Sequence, residues 1–187
     1  MFKRLFDIIF SLLLIFVFLI PILIISVLIF VSSNYKIFYI SERFGKDRKL
    51  FYMFKFKTMK DETPNVATHL LADAKKYMLP TGNFLRKSSL DELPQLFNVL
   101  FGNMTFIGPR PALFNQHDLI KLRQKYGLEK LKPGLTGWAQ INGRDNIDLR
   151  IKVELEKYYY ENKNLFFDIK ILIFTILKIF KPKDITH

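Results

Sequence analysis

No cysteine occurs anywhere in this sequence, so disulfides, zinc–thiolate centres and thiol nucleophiles are all excluded. Histidine is nearly absent too: His69, His117 and His187 are scattered, lack metal-ligand spacing, and read as structural or solvent-exposed. Acidic residues are the minority, 17 Asp and Glu against 29 Lys and Arg, a formal charge of +12. The partner surface is therefore acidic: nucleic acid, anionic lipid or a phosphorylated substrate. With 187 residues, half of them hydrophobic, the chain suits one modest domain.

Apolar length is what the chain has in abundance. Residues 8–31 run for 24 positions without a charge. As a straight helix rising about 1.5 Å per residue, the run reaches roughly 36 Å, enough for a hydrocarbon core of about 30 Å. It exceeds a signal-peptide core, and no small-residue cleavage site follows it. Pro21 divides it into apolar arms of 13 and 10 residues, each too short to cross alone. Lys3 and Arg4 precede the run, while Lys36, Arg43, Lys46, Arg48 and Lys49 follow it, and the positive-inside rule draws both ends to the cytoplasm. A helix that enters, bends at Pro21 and returns satisfies this, although proline kinks also occur in true spans. The flanking charge favours the re-entrant form.

Residues 37–40 and 50–59 read as two aromatic strands of a β-hairpin around a polar loop, 41–49, that contains Gly45. Phe54, Phe56 and Thr58 alternate with Lys55 and Lys57, giving one apolar and one cationic face. Residues 36–60 carry eight Lys or Arg against Glu42 and Asp47, half of the chain's excess charge. Beside a membrane run these cations meet lipid phosphates more simply than they stack on single-stranded nucleic acid. Farther on, 61–68 reads as a surface loop and 67–78 as a helix. His69 and Asp73 lie four apart there, a metal-compatible spacing that an ordinary solvated helix explains as well.

Asp91 and Glu92 are adjacent carboxylates in Ser88-Ser89-Leu90-Asp91-Glu92-Leu93-Pro94, five residues after Arg86. Ser88 or Ser89 can cap a helix, Glu92 completes capping-box spacing with Ser89, and Pro94 fits as a first helical residue. Either way the pair sits at a helix start, where anions are favoured, so capping and phosphate chemistry both fit. In Pro109-Arg110-Pro111 two prolines hold Arg110 stiffly, ready for bidentate phosphate recognition or simply exposed on a rigid loop. A glycine-containing stretch from Lys132 to Arg144 matches neither a Walker loop nor a dinucleotide fingerprint. Its Trp138, the only tryptophan, reads as a core anchor, with stacking on a ring as the sharper alternative.

At the carboxyl end, residues 165–181 are nearly all apolar except Asp168, Lys170, Thr175, Lys178 and Lys181. On a wheel of about 100° per residue those five fall within an arc of roughly 160°. Such a helix suits a membrane interface better than a soluble core. Tyr158-Tyr159-Tyr160 upstream fit either headgroup depth or local packing.

Taken together, the proline-broken amino terminus, Arg43-Phe44-Gly45-Lys46, Lys55-Phe56-Lys57-Thr58-Met59, Ser89 to Leu96, Gly108-Pro109-Arg110-Pro111 and Lys132 to Arg144 resemble the small monotopic phosphoglycosyl transferases, the bacterial sugar transferase family. The resemblance covers nearly the whole chain, which matches the minimal core, larger relatives carrying extra spans in front. It implies transfer of a sugar 1-phosphate from a UDP-sugar to polyprenyl (undecaprenyl) phosphate, giving polyprenyl diphosphate sugar and UMP, with Mg²⁺ required. It implies that Asp91 is the nucleophile, forming a phosphosugar-aspartate intermediate and touching the metal. Glu92 takes a second role, in metal binding or in activating the polyprenyl phosphate. Arg86, Arg110 and Arg144 neutralise the charge that builds up in transfer, and Lys57 is the hairpin cation chosen for phosphate or headgroups. Two departures stand out: Ile20 replaces a serine common before the helix-breaking proline, and Lys132 replaces a common arginine.

The expectation is a mostly helical α+β domain with a short hairpin: 1–34 a re-entrant membrane helix, 35–187 a catalytic domain on the cytoplasmic face of the bacterial inner membrane, including the interfacial helix 165–181. Partners are the two substrates and membrane lipids, with a homodimer or pathway enzymes as further candidates and no nucleic acid. A membrane-anchored basic adaptor binding acidic lipids or proteins, and a tethered nucleic-acid-binding protein, are the rival readings; both leave the acidic pair idle.

Overall fold

The computed structural model describes residues 2–64, 73–143 and 147–180 and mixes helix with two small sheets. Helices α1 (Phe2–Val17) and α2 (Leu19–Ser32) form a pair bent by 63°. The break falls at Phe18 rather than at Pro21, because a proline ring collides with the carbonyl four residues earlier, here that of Val17. Pro21 itself occupies the first turn of α2, where a missing N–H costs little. Among the described residues no single helix is long and apolar enough to cross a membrane, whereas the bent pair passes that test together.

Both ends of the pair are fastened to one body. Lys3 Nζ donates to the Ile107 carbonyl (3.1 Å), the Tyr159 hydroxyl (2.9 Å) and the Asp168 carboxylate (2.8 Å). Arg4 donates to the Val99 and Leu100 carbonyls, 2.6 Å each, and Asp7, buried, accepts from the Thr105 hydroxyl and the Phe106 N–H. The basic residues read as topology signals are thus also structural anchors. At the far end, Ser33 bonds the Lys36 carbonyl and the chain enters the sheet. Between these attachments Leu12, Phe16, Ile20, Ile24, Val27 and Val31 stay exposed.

Strands β1 (Phe38–Phe44) and β2 (Leu50–Phe56) pair antiparallel in register Phe38↔Phe56 through Phe44↔Leu50. The first strand runs to Phe44, four residues beyond the expected limit, and carries Arg43 into the sheet. Helices α3 (Gly82–Lys87) and α4 (Gln95–Phe101) follow, then β3 (Thr105–Ile107) and β4 (Ala112–Leu113). Residues 41–44 pair with 50–53 of β2, which extends β1 past its aromatic segment, and two residues of β4 pair with the outer side of β1, placing Arg43 opposite Leu113. Helix α5 (His117–Lys125) precedes β5 (Gly134–Thr136), which pairs in parallel with β3. Helices α6 (Trp138–Gly143), α7 (Leu149–Asn162) and α8 (Leu165–Phe180) complete the chain.

The main core gathers Phe51, Met53, Leu96, Val99, Met104 and Phe106 with Tyr159 and Ile171, and a second cluster sets Ile25 and Ile29 of α2 on Phe56, Leu79 and Leu85. Trp138 packs against the main core, edge-on to Phe167 at 4.9 Å, as an anchor. Tyr159 is buried and bonded inside the body, so it does not mark headgroup depth, whereas Tyr158 is exposed. Helix α8 turns Asp168, Ile171 and Thr175 inward and leaves Leu165, Phe166, Ile169, Ile173 and Leu177 outside. Of the helix expected over 67–78, residues 67–72, with His69, lie outside the described residues; Asp73 caps a short 3-10 turn at Ala74–Tyr77.

Candidate active site

The site begins with the pleat of β2. Phe51 and Met53 point into the main core, and period-two alternation puts Lys55 on that same inward face, while Phe56 packs on the other side under α2. The cationic face of the hairpin is therefore not turned to solvent. Asn98 of α4, fully buried, fastens the outer edge of β2 as a strand would: its Oδ1 accepts from the Phe54 N–H (2.9 Å) and its Nδ2 donates to the Tyr52 carbonyl (2.7 Å). These two bonds set Lys55 against the segment that leads into α4.

Arg86 arrives on α3. That short helix closes on the strand end because Gly82 lies against the Thr58 carbonyl, where a Cβ would collide. Arg86 Nε then donates to Thr58 Oγ1 at 2.9 Å. After α3, Ser89 takes a left-handed conformation (φ 57°), a strained position for a non-glycine residue, and a 3-10 turn at Leu90–Glu92 follows. The acidic pair therefore belongs to its own turn, joined through Leu93 and Pro94 to a helix that starts only at Gln95. Of the two helix starts the sequence allowed, the one at Pro94 is the nearer, Pro94 taking the cap place of α4, while Ser89 turns the chain into the 3-10 turn without a side-chain cap.

Asp91 is 8% exposed. Lys55 Nζ lies 3.7 Å from Asp91 Oδ2 and 2.7 Å from Glu92 Oε1, bridging both carboxylates. Arg110 reaches the same Glu92 oxygen with both terminal nitrogens, 3.3 Å each. Burial pushes the Asp91 carboxyl above its ordinary range; Lys55 opposes this most strongly, Glu92 reinforces it by repulsion, and Arg86 and Arg110 pull it back. Arg43, on β1, joins the same electrostatic neighbourhood: burial and then the like charge of Arg110 push its pKa down to about 10, against attraction from Tyr39 and Glu92.

The predicted residues separate into groups. Asp91, Glu92, Arg86 and Arg110 come together. Lys57 is buried and paired with Asp61 at 2.7 Å, one alternation beyond Lys55. Arg144 lies outside the described residues. Lys55, Arg43 and Asn98 join the site without having been singled out. Lys55 and Arg43 stand in motifs quoted from the sequence, which gave neither a role; Asn98 carried no signal, because the β2 edge that places it comes from elsewhere in the chain.

Such an arrangement can accommodate an anionic phosphate ester and offers a carboxylate oxygen beside it. The chain belongs to the bacterial sugar transferase family, whose model it matches over residues 1–182. It is 42% identical over 149 residues to the uncharacterized sugar transferase EpsL of Bacillus subtilis, covering 80% of this chain and 72% of that protein. It is 39% identical over 160 residues to the UDP-glucose:undecaprenyl-phosphate glucose-1-phosphate transferase of Escherichia coli, covering 81% of this chain and 34% of the relative. With the undecaprenyl-phosphate galactose phosphotransferase of Salmonella typhimurium it shares 36% over 195 residues, 92% of this chain and 39% of that one. The chain thus spans well under half the length of the latter two.

Proposed function

We propose that this chain transfers a sugar 1-phosphate from a UDP-sugar to a polyprenyl phosphate such as undecaprenyl phosphate, as the first membrane step of glycoconjugate assembly. The carrying observation is the buried Asp91 held with Glu92 under Lys55, Arg86 and Arg110, in a chain whose relatives include a UDP-glucose:undecaprenyl-phosphate glucose-1-phosphate transferase. An Asp91 carboxylate oxygen attacks the sugar-linked phosphorus, and the bond from that phosphorus to the bridging oxygen breaks as UMP leaves. A phosphate oxygen of the polyprenyl phosphate then attacks the same phosphorus, breaking the acyl-phosphate bond and restoring Asp91. Two anions meet in each step, and Lys55, Arg86 and Arg110 neutralise that charge.

Adjacent hard carboxylates with few protein ligands fit magnesium, which binds through one or two carboxylates and substrate phosphates; among the described residues no group of three or more acidic or histidine ligands forms a complete cage. Asp91, with Glu92, would hold the ion, which when bound supplies neutralisation of the diphosphate. The bent α1–α2 pair, anchored to one body at both ends, supports a re-entrant insertion into one leaflet of the bacterial inner membrane. Helix α8 would then lie in the interface and the site face the cytoplasm.

The test is UMP release from a panel of UDP-sugars with undecaprenyl phosphate and Mg²⁺. Release by the wild-type chain and none by Asp91→Asn is expected; equal release by both would remove Asp91 from the chemistry. For topology, cysteines introduced at the amino terminus and near Lys36 should show the same accessibility to a membrane-impermeant label, and opposite accessibility would rule out re-entry.

A further inference from the structure

The Pro109–Arg110 segment is held from behind by buried groups that the chemistry above does not use. Arg123 of α5 and Glu156 of α7 form a bidentate pair, Nε to Oε2 at 2.8 Å and Nη2 to Oε1 at 2.6 Å, with Glu156 2% and Arg123 8% exposed. The same Nη2 donates to the Arg110 carbonyl at 2.9 Å. One turn along α7, the Tyr159 hydroxyl approaches the Ile107 carbonyl (3.4 Å), which Lys3 also holds. Between these points β5 takes the remaining backbone groups, Gly108 N–H to the Thr136 carbonyl and Gly134 N–H to the Pro109 carbonyl, 2.9 Å each. Glu156 and Tyr159, three apart on one buried face of α7, therefore brace both ends of the loop that delivers Arg110 to Glu92.

We propose that Arg123 and Glu156 are positioning residues for the transfer reaction, acting through the Arg110 backbone to hold its guanidinium at the carboxylate pair. A buried ion pair is weak evidence of a stability role, since apolar replacements of similar volume are often neutral or better. What the pair supplies here is a fixed donor to one carbonyl. Pro109 and Pro111 stiffen the loop and β5 holds Gly108 and Pro109, while the Arg123 bond is the one that holds the Arg110 carbonyl itself.

This inference rests on the transferase reading, and the experiment separates the two. In the full chain, with whichever UDP-sugar supports UMP release, four variants are compared: Arg123→Lys, the apolar pair Arg123→Met/Glu156→Leu, Arg110→Ala, and Arg110→Ala combined with Arg123→Lys. The apolar pair should melt close to wild type and yet lose about 10- to 100-fold in kcat with little change in KM. Arg123→Lys should lose about tenfold alone and less than about twofold on top of Arg110→Ala, because both act on one group. Wild-type kcat in a folded apolar pair, or an Arg123→Lys loss that multiplies undiminished onto Arg110→Ala, would overturn the proposal. Should the apolar pair fail to fold, the Arg110 cycle decides alone. No UMP release by the wild-type chain from any UDP-sugar would instead overturn the reaction, and the positioning role with it.

Discussion

Two buried charge clusters lie a short way apart in this protein and are built differently. On α5 and α7, one guanidinium meets one carboxylate in a closed bidentate fork, and its remaining reach goes to a backbone carbonyl. Around Asp91 and Glu92 the numbers do not match: Lys55, Arg86 and Arg110 face two carboxylates, Arg43 crowds in behind, and two of the contacts are long, 3.3 and 3.7 Å. The first cluster is complete without a ligand. The second gathers four cations about two carboxylates, an excess that burial penalises and that a bound anionic phosphate, on the proposed function, would offset. On the proposed function, the matched pair is charge that shapes the protein and the mixed cluster is charge that works on the substrate.

That contrast can be broken most sharply at Asp91. Asp91→Asn should lower UMP release by at least about 10³-fold, the scale of removing a nucleophile or a key electrostatic group. It should also raise Tm near neutral pH. The native state binds the Asp91 proton more tightly than the unfolded chain does, so ionising this group costs native stability as pH rises, and no cost remains below the ordinary carboxyl value of 3.8. The Tm gain of the variant, followed from pH 8 to about pH 4, should therefore shrink. In wild type the same shift places the acid limb of the pH–rate profile above the usual carboxylate range.

Next in size is Lys55→Met, which removes the bridge over both carboxylates and should cost about 10²-fold in kcat/KM. Lys57→Met, breaking only the pair with exposed Asp61, should cost less than about tenfold. A reversed order would move the working cation one alternation along β2. The smallest effect on turnover belongs to the anchors of α1. Asp7→Leu leaves the Thr105 hydroxyl and Phe106 N–H without their buried acceptor and should cost about 1–3 kcal/mol, read as a lower Tm with kcat nearly kept.

Much of this was legible in the sequence for local reasons. The apolar run, its proline break, the aromatic hairpin and the amphipathic last helix are periodicity and composition, which short windows contain. The break moved to Phe18 because proline acts on the carbonyl four residues back. Lys55 and Lys57 were harder, since alternation says which residues share a face and not which face is inside. Arg43, quoted in a motif but given no role, was hard for another reason: its polar surroundings read as a loop, whereas residues 41–44 pair with 50–53 and carry it into the sheet, with Ala112 and Leu113, nearly seventy positions away, on its other side. Arg123 and Glu156 look like ordinary members of charged amphipathic helices until α5 and α7 are brought side by side.

The sequence by itself determined the apolar run with its break, the hairpin, the last helix, the carboxylate pair and the positive field that an anionic substrate would meet, because these follow from residue type and near-neighbour spacing. Only the tertiary structure decided which lysine bridges Asp91 and Glu92, that Lys3, Arg4 and Asp7 fasten the bent helix pair to the body, and that α7 stands behind the Arg110 loop. Those depend on partners between 13 and 165 residues apart in the chain, separations across which no local pattern carries information and only the packing of one core selects the match.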